Sequence, residues 1–203
     1  MKKNSIRILV EGAAMVSLAT ILSYIRIFKF PTGGSVTLLS MLPIVVFSMK
    51  YGVKKGIFVS FVFALVQLLQ GISEGLFGWG LTAPMLVSCI LLDYIVAFTA
   101  IGLSGMFRNK GAAGRMAGTV TALILRFVCH FLSGVVIWGT VGELWTGFSI
   151  NNVFLYSLIY NGIYMLPEIV VTSVSAYLLC SSKQIKGLLT KEQILNAVSY
   201  YLK

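Results

Sequence analysis

Residues 86–103, LVSCILLDYIVAFTAIGL, and residues 120–139, VTALILRFVCHFLSGVVIWG, decide the fold. A membrane-crossing helix needs about 20 mostly apolar residues, and both stretches approach or reach that length. Yet the first contains Asp93, and the second contains Arg126 and His130. An ionisable side chain in hydrocarbon costs from about 3 to more than about 10 kcal/mol. Such groups persist where they pair with one another or line a polar cavity. The two stretches therefore predict an all-α integral membrane protein with a small polar site or pathway among its helices.

The rest of the chain extends this reading. Of 203 residues, 58% are hydrophobic and only 11% charged, with a mean hydropathy of +0.92. Soluble domains carry about 25% charged residues. No internal repeat or interdomain linker is visible. Six helices are expected, at about 6–28, 37–50, 54–71, 82–107, 115–139 and 151–181. Together they form one transmembrane substrate-binding domain, 1–182, with a polar cytoplasmic tail at 183–203. The second helix is short, and Pro43 is expected to interrupt it. Pro31, Gly33 and Gly34 make KFPTGGSVT (29–37) a loop.

The net charge of +10 is not a nucleic-acid footprint, because of where the charges lie. Lys2, Lys3 and Arg7, then Lys50, Lys54 and Lys55, then Arg108, Lys110 and Arg115, then Lys183, Lys186, Lys191 and Lys203 fall at every second break between apolar runs. The positive-inside rule assigns those breaks to the cytoplasm. Both termini are then cytoplasmic, with an even number of spans. Cys89, Cys129 and Cys180 are far apart in apolar surroundings and read as small buried hydrophobes.

Candidate site residues follow from depth. At about 1.5 Å per residue, Asp93 lies ~16 Å from the outer end of the fourth helix and His130 ~14 Å from that of the fifth. Tyr156 and Asn161 lie ~7 and ~15 Å into the sixth. His130, Gly134 and Trp138 share a face at four-residue spacing, and Gly134 leaves room for a flat ring. Tyr156, Tyr160, Tyr164 and Glu168 form a stripe on the last helix. Asn161 offers donors and acceptors to a heterocycle edge, and Asp93 a counter-charge for a cation. The set suits a flat, nitrogen-rich, positively charged molecule. Plainer readings stand beside this one. Arg126 is at a depth where it can neutralise Asp93, His130 can serve as an interhelical hydrogen bond, and Trp138 as an interfacial belt residue.

Enzyme motifs are missing. There is one histidine, and no HExxH, GxSxG or GxxxxGK[ST] sequence. No metal site and no cofactor are expected. A self-sufficient secondary transporter of a small organic cation, using Asp93 and His130 as a proton relay, is one reading of such a site. Small residues at four-residue spacing, Ala13 and Ser17 on the first helix and Gly56, Ser60 and Ala64 on the third, allow close helix approach. They serve packing within the chain or docking of a partner.

The blocks FPTGGSVTLLSMLPIVVFSMKYGVKKG, LLDYIVAFTAIGLSGMF, RFVCHFLSGVVIWG and LYSLIYNG, in that order, resemble the thiamine-specific S component of energy-coupling factor transporters. The resemblance implies a six-helix protein of the prokaryotic plasma membrane that captures thiamine from outside with high affinity, as a transported substrate. It implies no ATPase in the chain itself, and partnership with a transmembrane coupling protein and two cytoplasmic ATPases. On the matching positions it assigns thiamine to Asp93, Tyr94, His130, Gly134, Trp138, Tyr156 and Asn161, with Tyr94 meeting the hydroxyethyl end. The coupling protein falls to Ala13 and Ser17.

Overall fold

The computed structural model describes residues 3–30, 33–138, 143–145, 148–185, 187 and 189. Most of the tail expected at 183–203 therefore lies outside the described residues, as do Pro31 and Thr32. In chain order the elements are α1 (Lys3–Tyr24), the strands β1 (Arg26–Phe30) and β2 (Gly33–Thr37), α2 (Leu42–Tyr51) and α3 (Val53–Ser73). Then come α4 (Ala83–Gly105), α5 (Gly111–Ser133, continued by a π turn over Gly134–Trp138), the strands β3 (Glu143–Trp145) and β4 (Phe148–Ser149), and α6 (Val153–Ser181).

The protein is predominantly helical, and α1, α3, α4, α5 and α6 are long and apolar enough to cross a membrane. The expectation of six spans is not met by length alone. At 10 residues, α2 extends only ~15 Å against a hydrocarbon core of ~30 Å. Nor does Pro43 interrupt it. Pro43 sits in the first turn, where its missing N–H has no intrahelical acceptor to lose. The first helix stops at Tyr24 rather than running to 28, because Arg26–Phe30 pairs antiparallel with Gly33–Thr37. The segment expected as a loop is a β-hairpin that returns the chain over the end of the bundle. A second short pairing joins Glu143–Trp145 to Phe148–Ser149.

Apolar and polar side chains are distributed inside out relative to a water-soluble bundle. Leu9, Val10, Ile21, Phe58, Leu69, Val87, Phe154, Leu166 and Leu178 face outward, while Ser48, Ser104, Thr119, Arg126, His130, Asn161 and Glu168 are buried. A bilayer rewards the outward set, and backbone and side-chain partners satisfy much of the inner one. The apolar core groups Met41, Ile44 and Phe47 of the α2 region with Phe63, Phe98, Leu123 and Ala176.

One crossing shows how small residues set this packing. The Cα atoms of Gly56 on α3 and Gly102 on α4 meet backbone to backbone, leaving no room for a side chain at either. Ser48 sits in the same crossing, donating to the Gly102 carbonyl at 2.5 Å and accepting from the Gly105 N–H at 3.1 Å. Gly56, Ser60 and Ala64 are therefore consumed by packing within the chain. Ala13 and Ser17, by contrast, lie on an exposed face of α1.

Candidate ligand-binding site

A cavity of about 220 Å³ opens between the hairpin, α3, α4, α5 and α6. Asp93, Tyr94, His130, Gly134, Tyr156 and Asn161 all line it. The structure thus brings these sequence-selected residues to one place. Trp138 ends the π turn that begins at Gly134, but its side chain lies outside the described residues.

Asp93 and His130 form the polar heart of the cavity. His130 Nδ1 donates to Asp93 Oδ1 at 2.8 Å, and the Ser133 hydroxyl donates to Asp93 Oδ2. A part-buried carboxylate costs less when both oxygens are satisfied in this way. His130 Nε2 is buried with no hydrogen-bond partner among the described residues. Local helix geometry helps to orient the pair. Asp93 lies inside a π segment, Ile90–Val96, and a second π segment starts directly after Ser133. The wider i→i+5 turn re-aims side chains relative to a straight α-helix and recurs at functional sites.

Arg126 does not neutralise Asp93. Its guanidinium lies against the Met41 sulfur and 4.2 Å from the centre of the Phe98 ring, a cation–π contact. Its Nε has no partner among the described residues. Glu168, 3% exposed, accepts from the Thr37 N–H at 2.5 Å and the Thr37 hydroxyl at 2.7 Å. Glu168 thereby ties the end of β2 to α6. At the other end of β2, the Tyr164 ring packs so closely on Gly34 that no side chain would fit there.

The aromatic stripe of α6 makes one wall. Tyr156 and Tyr160 are parallel at 6.0 Å, and Tyr160 meets Tyr164 edge to face at 6.1 Å. Phe30 of β1 packs on Tyr160 at 5.1 Å, and His130 lies edge to face with Tyr164 at 6.0 Å. These separations and tilts are the favoured arrangements for aromatic pairs.

Asn161 and Gly134 line the cavity and also serve the contact between α5 and α6. Asn161 Nδ2 donates to the Ser157 carbonyl at 2.9 Å and the His130 carbonyl at 3.2 Å, and Oδ1 accepts from the Tyr164 hydroxyl at 2.6 Å. Its amide braces α5 against α6 beneath the cavity. Gly134 faces the same contact. A Cβ there would strike the Ser157 hydroxyl and crowd Asn161, so its smallness permits close helix approach.

The polar side built from α1, α3 and the turn after it escaped the sequence reading. Ser23 of α1, Gln67 and Gln70 of α3 and Glu74 just beyond its end form a polar side, joined by bonds of 3.1–3.3 Å through Ser23, Gln67 and Gln70. A signal existed, since Gln67, Gln70 and Glu74 recur at i, i+3 and i+7 on an otherwise apolar helix. At the mouth, Arg26 grips Glu74 with both Nη atoms, one at 2.9 Å, and Lys29 Nζ reaches it at 2.9 Å. The Arg26 guanidinium, against the opposing effect of burial and with help from Lys29, holds the Glu74 carboxyl at about 2.

Comparison with known proteins follows the same direction. Residues 9–187 match the family described as Thiamine transporter protein (Thia_YuaJ). The thiamine transporter ThiT of Bacillus subtilis (strain 168) is 35% identical over 185 residues, covering 84% of this chain and 88% of that protein. ThiT of Lacticaseibacillus paracasei is 29% identical over 169 residues, covering 76% and 77%. A solved structure of ThiT from Listeria monocytogenes superposes with a TM-score of 0.70 at 21% identity, covering 92% of this chain and 99% of that one, and so shares its fold.

Proposed function

This chain belongs to the thiamine transporter protein family, and on that premise we propose that it captures thiamine with high affinity at the cell membrane and passes it inward. It is a multi-pass membrane protein. The observation that carries the proposal is the part-buried Asp93–His130 pair beside a tyrosine wall in one cavity. Thiamine is a flat cation with an aminopyrimidine and a thiazolium ring. Asp93 supplies the counter-charge, and the tyrosine faces supply cation–π attraction, worth ~2 kcal/mol or more when desolvated. With Nδ1–H committed to Asp93, neutral His130 keeps Nε2 as an acceptor for the exocyclic amine. Tyr94 meets the hydroxyethyl arm, Tyr156 and Trp138 stack on the rings, and Asn161 and Gly134 hold the α5–α6 contact that sets the pocket's shape.

The chain works as the substrate-binding S component of an energy-coupling factor transporter. It carries no nucleotide-binding loop of its own, and energy comes from a coupling membrane protein and two cytoplasmic ATPases. The exposed face with Ala13 and Ser17 is the surface offered to the coupling protein. The short α2 completes six membrane segments with its neighbours' help, and the basic clusters keep both termini in the cytoplasm.

Uptake of labelled thiamine in cells lacking their own carrier tests this reading. Accumulation that requires co-production of the coupling protein and ATPases supports it. Accumulation by this chain alone, abolished by collapsing the proton gradient, would establish the secondary-transporter alternative instead.

A further inference from the structure

One side of the cavity suits a negative charge that thiamine itself does not carry. Arg26 and Lys29 both line the cavity, and both direct their charge at one carboxylate, Glu74. Two cations against one anion leave the mouth net positive. Lys29 is 48% exposed at its side chain, so its ammonium has room to turn. Gln70 donates to Glu74 at 3.3 Å, adding an amide to the cluster.

Tyr94 connects this cluster to the ligand. Its hydroxyl sits against the Cα of Gly71, where no side chain would fit. Gly71 lies in the last turn of α3, three residues before Glu74 at its C-terminal end. With Tyr94 at the hydroxyethyl arm, a substituent on the terminal oxygen extends toward Glu74, Arg26 and Lys29. This step rests on the thiamine reading given above.

We propose that Arg26 and Lys29 form a subsite for the phosphate of thiamine phosphate esters, and that Glu74 occupies it when the ligand carries no phosphate. A guanidinium binds phosphate through two parallel hydrogen bonds, and an ammonium adds a point charge. A phosphate dianion can displace a carboxylate from both. Glu74 therefore sets selectivity. It neutralises most of the positive field that would oppose a cationic ligand, and it makes an ester displace an existing ion pair before binding.

Calorimetric titration of the detergent-purified protein with thiamine and with thiamine monophosphate tests this, in wild type, Glu74→Gln and Lys29→Gln. The readout is the ratio of the two dissociation constants, which a general loosening of the hairpin would not move. In Glu74→Gln the ratio shifts toward the ester by about fivefold or more, and in Lys29→Gln it shifts away by a similar factor. Equal changes for both ligands in both variants would overturn the subsite and leave the cluster as a hairpin clasp. Excess inorganic phosphate should weaken binding of the ester more than that of thiamine, because it competes for the same two cations. Equal effects on both ligands would overturn the subsite. A folded wild type that binds no thiamine would overturn the thiamine reading, and the subsite with it.

Discussion

His130 on α5 and Asp93 on α4 meet at 2.8 Å between Nδ1 and Oδ1, 37 residues apart in sequence. The contact fixes the imidazole tautomer and the direction of the carboxylate together. It also leaves the second ring nitrogen buried and unpartnered among the described residues. A buried polar atom in that condition costs about 1–3 kcal/mol, which a ligand donor would recover.

Asp93→Asn keeps the shape of the site and removes its charge. Thiamine binding is expected to weaken at least about tenfold, about 1.4 kcal/mol. A neutral analogue lacking the thiazolium charge should lose much less. Equal losses for both ligands in a titration would remove the counter-ion role.

Gly134→Ala inserts a methyl where Ser157 and Asn161 already stand. Overpacking of this kind costs about 1–3 kcal/mol. Thermal unfolding in detergent should occur at a lower temperature, with thiamine affinity reduced as α5 and α6 separate. An unchanged unfolding temperature would mean that the crossing tolerates a methyl and does not depend on glycine.

The Glu74 clasp has a defined pH response. Its carboxyl is held at about 2 against an ordinary 4.5. The folded value is the lower one, so its contribution is complete above about 4.5 and is lost as pH falls toward about 2. Exposed pairs of this kind contribute ~0–1 kcal/mol. The stability difference between wild type and Glu74→Gln should therefore shrink as pH falls from about 4.5 toward about 2. A difference that is constant or grows on acidification would contradict the assignment.

Ala13→Trp places a bulky ring on the exposed face of α1, away from the cavity lining. Binding of thiamine to the isolated protein should persist, while co-purification with the coupling protein and ATPases should fall. Normal assembly would move the docking surface elsewhere.

The five long apolar helices were legible in the sequence, because hydropathy over about 20 residues marks them. The outward face of Ala13 and Ser17 could be counted but not oriented. The hairpin was hidden, since Pro31, Gly33 and Gly34 mark a turn without revealing that the flanking residues pair as strands. The π turns at Asp93 and after Ser133 carry no composition signal. Partnerships such as Arg26 with Glu74, or Thr37 with Glu168, span 48 and 131 residues, and no local pattern specifies them. Arg126 shows the limit most clearly. Its depth suited Asp93, yet packing set it over Phe98 and left the carboxylate to His130 and Ser133.

The most direct test of the central claim is a calorimetric titration of the folded, detergent-purified protein with thiamine. Saturable binding of one thiamine per chain at nanomolar concentration, weakened at least about tenfold in Asp93→Asn, is the expected result. A folded protein that releases no heat with thiamine, or binds it equally well without the Asp93 charge, would contradict the account.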